Sequence, residues 1–358
     1  MGLFEFAKPA LFSFDPEKAH GLSIKALKSG LLPPAKSSRD PKLKVSLGGL
    51  EFPNPLGLAA GYDKNAEVSD AILKLGFGFT EVGTITPRAQ PGNPKPRLFR
   101  LEAEKAVINR LGFNNQGHKA ALQRLEARKG SSGIVGVNIG ANKDSEDFVA
   151  DYEMGIDTFY HLASYFTANI SSPNTPGLRN LQAGEALKVL LERIFERVEA
   201  KREENGRDVP VFLKIAPDLE AAEMDEIAEV INQSGLAGLI VSNTTLDRDM
   251  LANKIHANEA GGLSGKPLFA KSTRVLAEMY SRIGDRLPLI GVGGILNAED
   301  AIGKLEAGAS LVQVYSGLVY GGPCLPAKIV EGILRHLDRS GLDSVSELTG
   351  SNIDRWIT

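Results

Sequence analysis

The stretch PLIGVGGILNAEDAIGKLEAGASLVQVYSG, residues 288–317, holds two short apolar runs, PLIGVGGI (288–295) and LVQVYSG (311–317), separated by one helix-length segment. Each run is rich in branched side chains and ends in glycine or small polar residues, the form of a buried strand that stops at a turn. Asn297 occupies the N-cap position of the intervening segment, and Glu299 and Asp300 fall in its first turn, where carboxylates suit the helix dipole. Strand, helix, strand is the unit of a parallel sheet. Working outward, six more runs of the same kind precede this pair: LGLAAG (56–61), FTEVGTIT (79–86), IVGVNIG (134–140), FTANISS (166–172), VFLKIAP (211–217) and GLIVSNT (238–244). Eight repeated βα units close a cylinder, so the expected fold class is α/β, a (β/α)8 TIM barrel with an N-terminal helical extension.

The segments between the runs agree. After Gly265 and Pro267, residues Leu268, Ser272, Val275, Leu276, Met279 and Ile283 fall on one face at helical spacing. Residues 87–133 are too many for a plain loop and helix, and predict a lid or small extra strands.

Composition excludes several function classes. A chain of 358 residues with 42% hydrophobic content can bury one large core. Its formal charge of −3 offers no field that favours nucleic acid, and none is expected as a partner. The single cysteine, Cys324 in GGPCLP, rules out an internal disulfide or a multi-cysteine metal site and is read as structural. No metal is expected. No apolar run reaches 18 residues and no signal-peptide pattern opens the chain, so contact with a bilayer would be peripheral.

The first 45 residues differ from the rest. Phe4, Phe6, Leu11, Phe12 and Phe14 crowd together among lysines, and eight Lys or Arg stand against four Asp or Glu, although the whole chain is negative. Asp15 followed by Pro16 reads as the cap and first position of a second helix, ended by Gly30, Pro33 and Pro34. The expected division is a helical hairpin over 1–45 and a barrel over 46–358. Clustered aromatics could simply pack on the barrel. Basic side chains beside them suit an interfacial role, with rings in the acyl boundary and ammonium groups at lipid head groups.

Strands of a parallel barrel are buried on both faces, so polar residues in them demand partners. Here they gather at the C-terminal tips: Asp63 and Lys64, Thr84, Asn138, Asn169 with Ser171 and Ser172, Lys214, Ser242 with Asn243 and Thr244, Gly293 with Gly294, and Tyr315 with Ser316. Barrel enzymes place their chemistry on this rim, and neutral donors and acceptors with two lysines predict a large polar ligand with an anionic end. Any one of these residues could merely cap the helix that follows. The last two tips, with GGLSGKP before them, predict a phosphate site after strands 7 and 8. Lys214 is expected to offset negative charge in the pocket, as a cofactor that becomes anionic on reduction would require.

The runs AAGYDKN (59–65), NRLGFNN (109–115), NISSPNTPGLRNLQ (169–182), SNTTLDR (242–248) and GGLSGKPL (261–268) together resemble the dihydroorotate dehydrogenase family, in order and over nearly the whole chain. The resemblance implies oxidation of dihydroorotate to orotate in pyrimidine biosynthesis, with hydride passing to FMN and a proton lost from the adjacent carbon. It places the base at Ser172, where the soluble class of the family carries cysteine. A serine there, together with the segment FAKPALFSFDPEKAH (6–20), points to the membrane-associated, quinone-dependent class at the cytoplasmic face of the cell membrane.

Carried over residue by residue, the resemblance implies FMN contacts from Ala60, Gly61, Thr84, Asn138, Asn169, Lys214, Ser242, Gly265, Gly294, Tyr315 and Ser316, the last four around its phosphate. The pyrimidine and its carboxylate fall to Lys64, Asn109, Arg110, Leu111, Gly112, Phe113, Asn174, Asn243 and Thr244, whose amides match a cyclic imide's donor and acceptor edge. His20, Arg100 and Tyr315 resemble the residues that meet the quinone head group. Lys266 and Lys8 depart from the family's usual arginines and keep charge without the planar fork. The alternatives are a soluble fumarate- or NAD-linked enzyme on the same substrate, and a non-catalytic, membrane-peripheral phosphate-binding barrel.

Overall fold

The computed structural model describes residues 3–30, 32, 34–35, 38, 40–251 and 256–357. Two helices open it, α1 (Leu3–Ser13) and α2 (Pro16–Lys28). Asp15 divides them: its carboxylate accepts the backbone N–H groups of Glu17 and Lys18 at 3.1 and 3.0 Å, and Pro16 stands where no N–H is needed. Gly30, at φ +68°, turns the chain away past the end of α2. Pro33, expected to share that role, lies outside the described residues.

Thirteen strands follow among the described residues: β1 (Val45–Leu47), β2 (Leu50–Phe52), β3 (Leu56–Leu58), β4 (Phe79–Ile85), β5 (Leu98–Leu101), β6 (Ala106–Asn109) and β7 (Ile134–Ile139), then β8 (Tyr165–Asn169), β9 (Val211–Ile215), β10 (Gly238–Val241), β11 (Gly262–Gly265), β12 (Leu289–Val292) and β13 (Ala309–Val314). Eight of them, β3, β4, β7, β8, β9, β10, β12 and β13, pair in parallel in that order and close on themselves. These are the eight apolar runs of the sequence, and β4, β7 and β9 run one residue past their polar tips, Thr84, Asn138 and Lys214.

The barrel closes because large and small residues alternate around its interior. Phe79, Tyr165 and Phe212 project inward from β4, β8 and β9, with neighbouring ring centroids 6.4 and 5.1 Å apart. The strands between and beside them carry glycine at the matching level: a Cβ at Gly57, Gly136 or Gly238 would come within 2.3, 2.1 or 2.8 Å of those rings. The β1–β2 hairpin stops the bottom, where Phe52 meets Phe79 edge-on at 5.1 Å. Truncating such a buried aromatic costs about 3–5 kcal/mol.

The opposite end is roofed by a separate antiparallel sheet of order β11–β6–β5 with its own small core of Leu101, Ala106, Ile108, Leu251 and Leu263. This accounts for the long 87–133 segment, with one addition that composition did not suggest: GLSG supplies the third strand. The face predicted for Leu268–Ile283 is buried as expected, and Asn297 caps Ala298–Glu306 by accepting the N–H of Asp300. Among the described residues no helix is long and apolar enough to cross a membrane.

Candidate active site

One continuous cavity of about 760 Å³ opens above the barrel and runs from the strand tips to the inner faces of α1 and α2. Its deep wall is polar, and one network orders it. Glu81, wholly buried in β4, accepts from Asn138 Nδ2 at 2.7 Å, from Gln313 Nε2 at 2.9 Å and from the Tyr165 hydroxyl at 3.3 Å. With its Nδ2 thus committed, Asn138 turns its Oδ1 to the Thr84 hydroxyl at 2.6 Å and to Asn169 Nδ2 at 3.1 Å. The chain continues through Asn169 Oδ1 to the Ser171 hydroxyl at 2.7 Å, and from Ser171 Oγ to Asn243 Nδ2 at 2.9 Å. Every amide along four strand tips is therefore held in one orientation before any ligand arrives.

Lys214 faces Asn169 across the β8–β9 ladder and lines the same cavity. Burial lowers its pKa, and the negative charge of Glu81 opposes that shift. Among the described residues no acceptor or carboxylate closes on its Nζ, so the ammonium is free to meet a ligand.

Ser172 lies just beyond, 5% exposed, its Oγ accepting the N–H of Asn174 at 3.2 Å. Asn174 Nδ2 reaches the carbonyl and side chain of Asn109 on the roof sheet, tying the Ser172 loop to the lid. The buried hydroxyl of Thr175 has no partner among the described residues. Arg179 clamps the same region from outside, donating to the carbonyls of Ser171 and Thr244, both at 3.0 Å, and to Asp218.

Toward the hairpin the wall becomes aromatic. His20 Nε2 lies 3.5 Å from Lys64 Nζ, and its ring meets Tyr62 edge-on at 5.1 Å. Tyr62 donates to Ser23 at 2.9 Å and abuts Tyr315, whose hydroxyl donates to the Gly61 carbonyl at 3.1 Å. Burial pushes His20 down to about 3, with the neighbouring Lys64 charge adding to it, so the imidazole is neutral. Lys64 is partly exposed to the cavity yet ringed by protein, and burial lowers it to about 8. Arg100 donates to the Phe12 carbonyl at 2.9 Å, its guanidinium 4.3 Å from the centre of that ring.

Ala60, Gly61, Thr84, Asn169, Lys214, Ser242, Gly265, Gly294, Tyr315 and Ser316 all line the cavity, as do Lys64, Asn109, Leu111, Gly112, Phe113, Asn174, Asn243, Thr244, Ser172, His20 and Arg100. Two do not. Asn138 stands behind Thr84 and Asn169, and Arg110 turns outward to pair with Glu259 at 2.6 Å and cover Phe99. Cys324, read as structural, is exposed and sits at the cavity wall near the start of Leu325–Ser340. Glu81 and Arg179 were given no role from sequence, although an acid inside the apolar run FTEVGTIT is itself a signal, because a carboxylate inside a barrel requires a built set of donors.

A family model described as dihydroorotate dehydrogenase matches residues 42–337. The protein named dihydroorotate dehydrogenase (quinone) from Allorhizobium ampelinum is 61% identical over 98% of this chain and 97% of its own. A relative of the same name from Sinorhizobium medicae is 60% identical, covering 99% and 98%. Among solved structures, DHODH from Eimeria tenella in complex with ferulenol superposes with a TM-score of 0.90 at 39% identity, over 95% of this chain and 96% of that one. With its cavity, its barrel and these likenesses in agreement over nearly its full length, the chain belongs to the dihydroorotate dehydrogenase family.

Proposed function

We propose that the protein oxidises dihydroorotate to orotate in de novo pyrimidine biosynthesis, with FMN at the barrel mouth and a membrane quinone as the final electron acceptor. The observation that carries this reading is the single cavity: an unpaired, buried ammonium at its polar end, an aromatic channel under α1 and α2 at the other, and no wall between them. A flat, electron-rich ring with a phosphate tail fits the polar end, because no carboxylate among the described residues reaches ion-pair distance of Lys214 while Gly265, Gly294, Tyr315 and Ser316 line the same cavity. When bound, FMN supplies the hydride acceptor.

Each remaining task falls to a side chain. Lys214 balances negative charge that gathers over the polar floor, and Asn169 and Ser242 fix the register of the ring. Lys64 holds the substrate carboxylate, while Asn109, Asn174, Asn243 and Thr244 read the edge of the pyrimidine. Ser172 Oγ takes the proton from the carbon beside the hydride donor as its own hydroxyl proton passes on to a hydrogen-bonded water, and the N–H of Asn174 holds that oxygen in place. Asn138 acts from behind, by orienting Thr84 and Asn169.

The hairpin over 1–45 forms the quinone entry, with His20, Arg100 and Tyr315 at the head group. Phe6, Phe14 and Leu22 are 71%, 48% and 40% exposed, and Lys18 and Lys25 stand exposed beside them. That surface suits peripheral contact with anionic lipid at the cytoplasmic face of the membrane.

Two measurements follow. Purified enzyme supplied with dihydroorotate and, side by side, a ubiquinone analogue, fumarate or NAD should turn over with the quinone alone; turnover with fumarate or NAD would reassign it to the soluble class. Orotate affinity should hold steady below about pH 8 and weaken by about tenfold per pH unit above it, because Lys64 binds the carboxylate only while protonated and its pKa is lowered to about 8. Titration of bound-flavin absorbance with orotate reads this, and a flat profile would remove Lys64 from that role.

A further inference from the structure

Lys304 is wholly buried, on the barrel helix Ala298–Glu306, outside the cavity and assigned to no part of the chemistry above. Among the described residues no carboxylate comes within ion-pair distance; Asp300, on the same helix, is the negative group that acts on it from further away. Burial drives its pKa well below the usual lysine range, with Asp300 opposing the shift, so its surroundings offer hydrogen-bond acceptors rather than a counter-charge.

Those surroundings lead to one place. Lys304 Nζ donates to Ser272 Oγ at 2.7 Å and to the Val292 carbonyl at 3.4 Å. The single hydroxyl hydrogen of Ser272 is shared among three carbonyls, those of Leu268 at 2.9 Å, Phe269 at 3.2 Å and Gly293 at 3.3 Å. Phe269 closes the back, with Lys304 Nζ 5.4 Å from its ring centre. Lys304 and Ser272, neither of which lines the cavity, therefore reach two consecutive carbonyls, those of Val292 and Gly293, and the Val292 carbonyl also takes the N–H of Ser242 at 3.3 Å. In a trans peptide the N–H points opposite to the C=O, so each carbonyl held from behind turns the following N–H forward. The loop has no room to choose otherwise: a Cβ at Gly294 would fall 2.4 Å from Phe269, and one at Gly293 2.7 Å from Ser272 Oγ.

We propose that Lys304 is a positioning residue for the FMN phosphate: through Ser272 and the Val292 and Gly293 carbonyls it aims the Gly293–Gly294 amides at the phosphate. This rests on the FMN reading above. The isoalloxazine ring would be held at Lys214, in another part of the cavity, and its binding should be indifferent to Lys304.

Flavin binding by the full-length apoprotein tests it, using FMN and riboflavin, which differ only in the phosphate. Lys304→Met should weaken FMN binding by about tenfold, one hydrogen bond's worth, leave riboflavin affinity within about twofold, and move the phosphorus NMR resonance of bound FMN. Ser272→Ala, which keeps the Lys304 amine and cuts the relay, should shift FMN in the same direction by a smaller factor and carries the test if Lys304→Met does not fold. Equal losses for both flavins, or none for either, would overturn the proposal and reduce Lys304 to a packing element. Wild-type apoprotein that binds neither flavin would instead overturn the FMN reading itself.

Discussion

Replacing Ser172 by alanine should lower turnover of dihydroorotate by about 10²–10⁴-fold, the range that a positioned base contributes, while the purified variant stays yellow. The two outcomes separate because Ser172 Oγ takes part in one hydrogen bond among the described residues, from the N–H of Asn174, and is no link in the network that orders the cofactor wall. That network runs from Glu81 through Asn138, Asn169 and Ser171 to Asn243 and bypasses the neighbouring serine. Stopped-flow reduction by dihydroorotate and a flavin-to-protein ratio read the two separately. A variant that keeps wild-type reduction rates would remove Ser172 from the base role, and one that loses flavin would make it a structural residue.

Deleting the helical hairpin should abolish quinone turnover, by about 10²-fold or more, the scale of losing a positioned reactant, and leave reduction by dihydroorotate nearly intact. The deletion belongs at residues 1–30, because Leu43 and Val45 are buried in the barrel core and must stay. The hairpin touches the substrate half through Glu17, which receives a two-pronged ion pair from Arg97 at 3.1 and 2.7 Å, and through His20 beside Lys64, Ser23 on Tyr62 and the Phe12 carbonyl on Arg100. Arg97 also donates to the carbonyls of Pro91 and Asn93 at 2.6 and 2.8 Å, so the lid keeps its internal ties when Glu17 is gone. A small dye that accepts electrons directly from reduced flavin should restore turnover. Full quinone activity in the truncated protein would show that the channel under α1 and α2 is not the quinone's route.

Why the fold was legible and parts of the site were not comes down to how local each signal is. The eight strands announce themselves because burial on both faces leaves no alternative to apolar runs, and Asp15–Pro16 and Asn297 are caps whose partners lie within three residues. The roof sheet was half visible: β5 and β6 fall in a segment too long to be a loop, but β11 is spelled GLSG, and only pairing with Asn109 and its neighbours makes that a strand. Cavity residues were found through tip position and family likeness, which cannot separate a residue that faces the ligand from one that stands behind it. Asn138 and Arg110 share the motifs of their neighbours, yet one is turned inward by Glu81 and the other outward by Glu259. Glu81 and Lys304 went unassigned for a related reason: a charge in an apolar run or on an amphipathic helix reads as an exception or as surface until its partners, 232 residues away in the case of Gln313 and Glu81, are brought beside it.

In the proposed function a flavin lies across this barrel mouth, between Lys214 and a pyrimidine. Anaerobic addition of dihydroorotate to the purified protein, followed by absorbance, tests it most directly. The yellow band should bleach within the mixing period and return when a quinone is added. A colourless protein, or a yellow one whose spectrum dihydroorotate leaves unchanged, would contradict it.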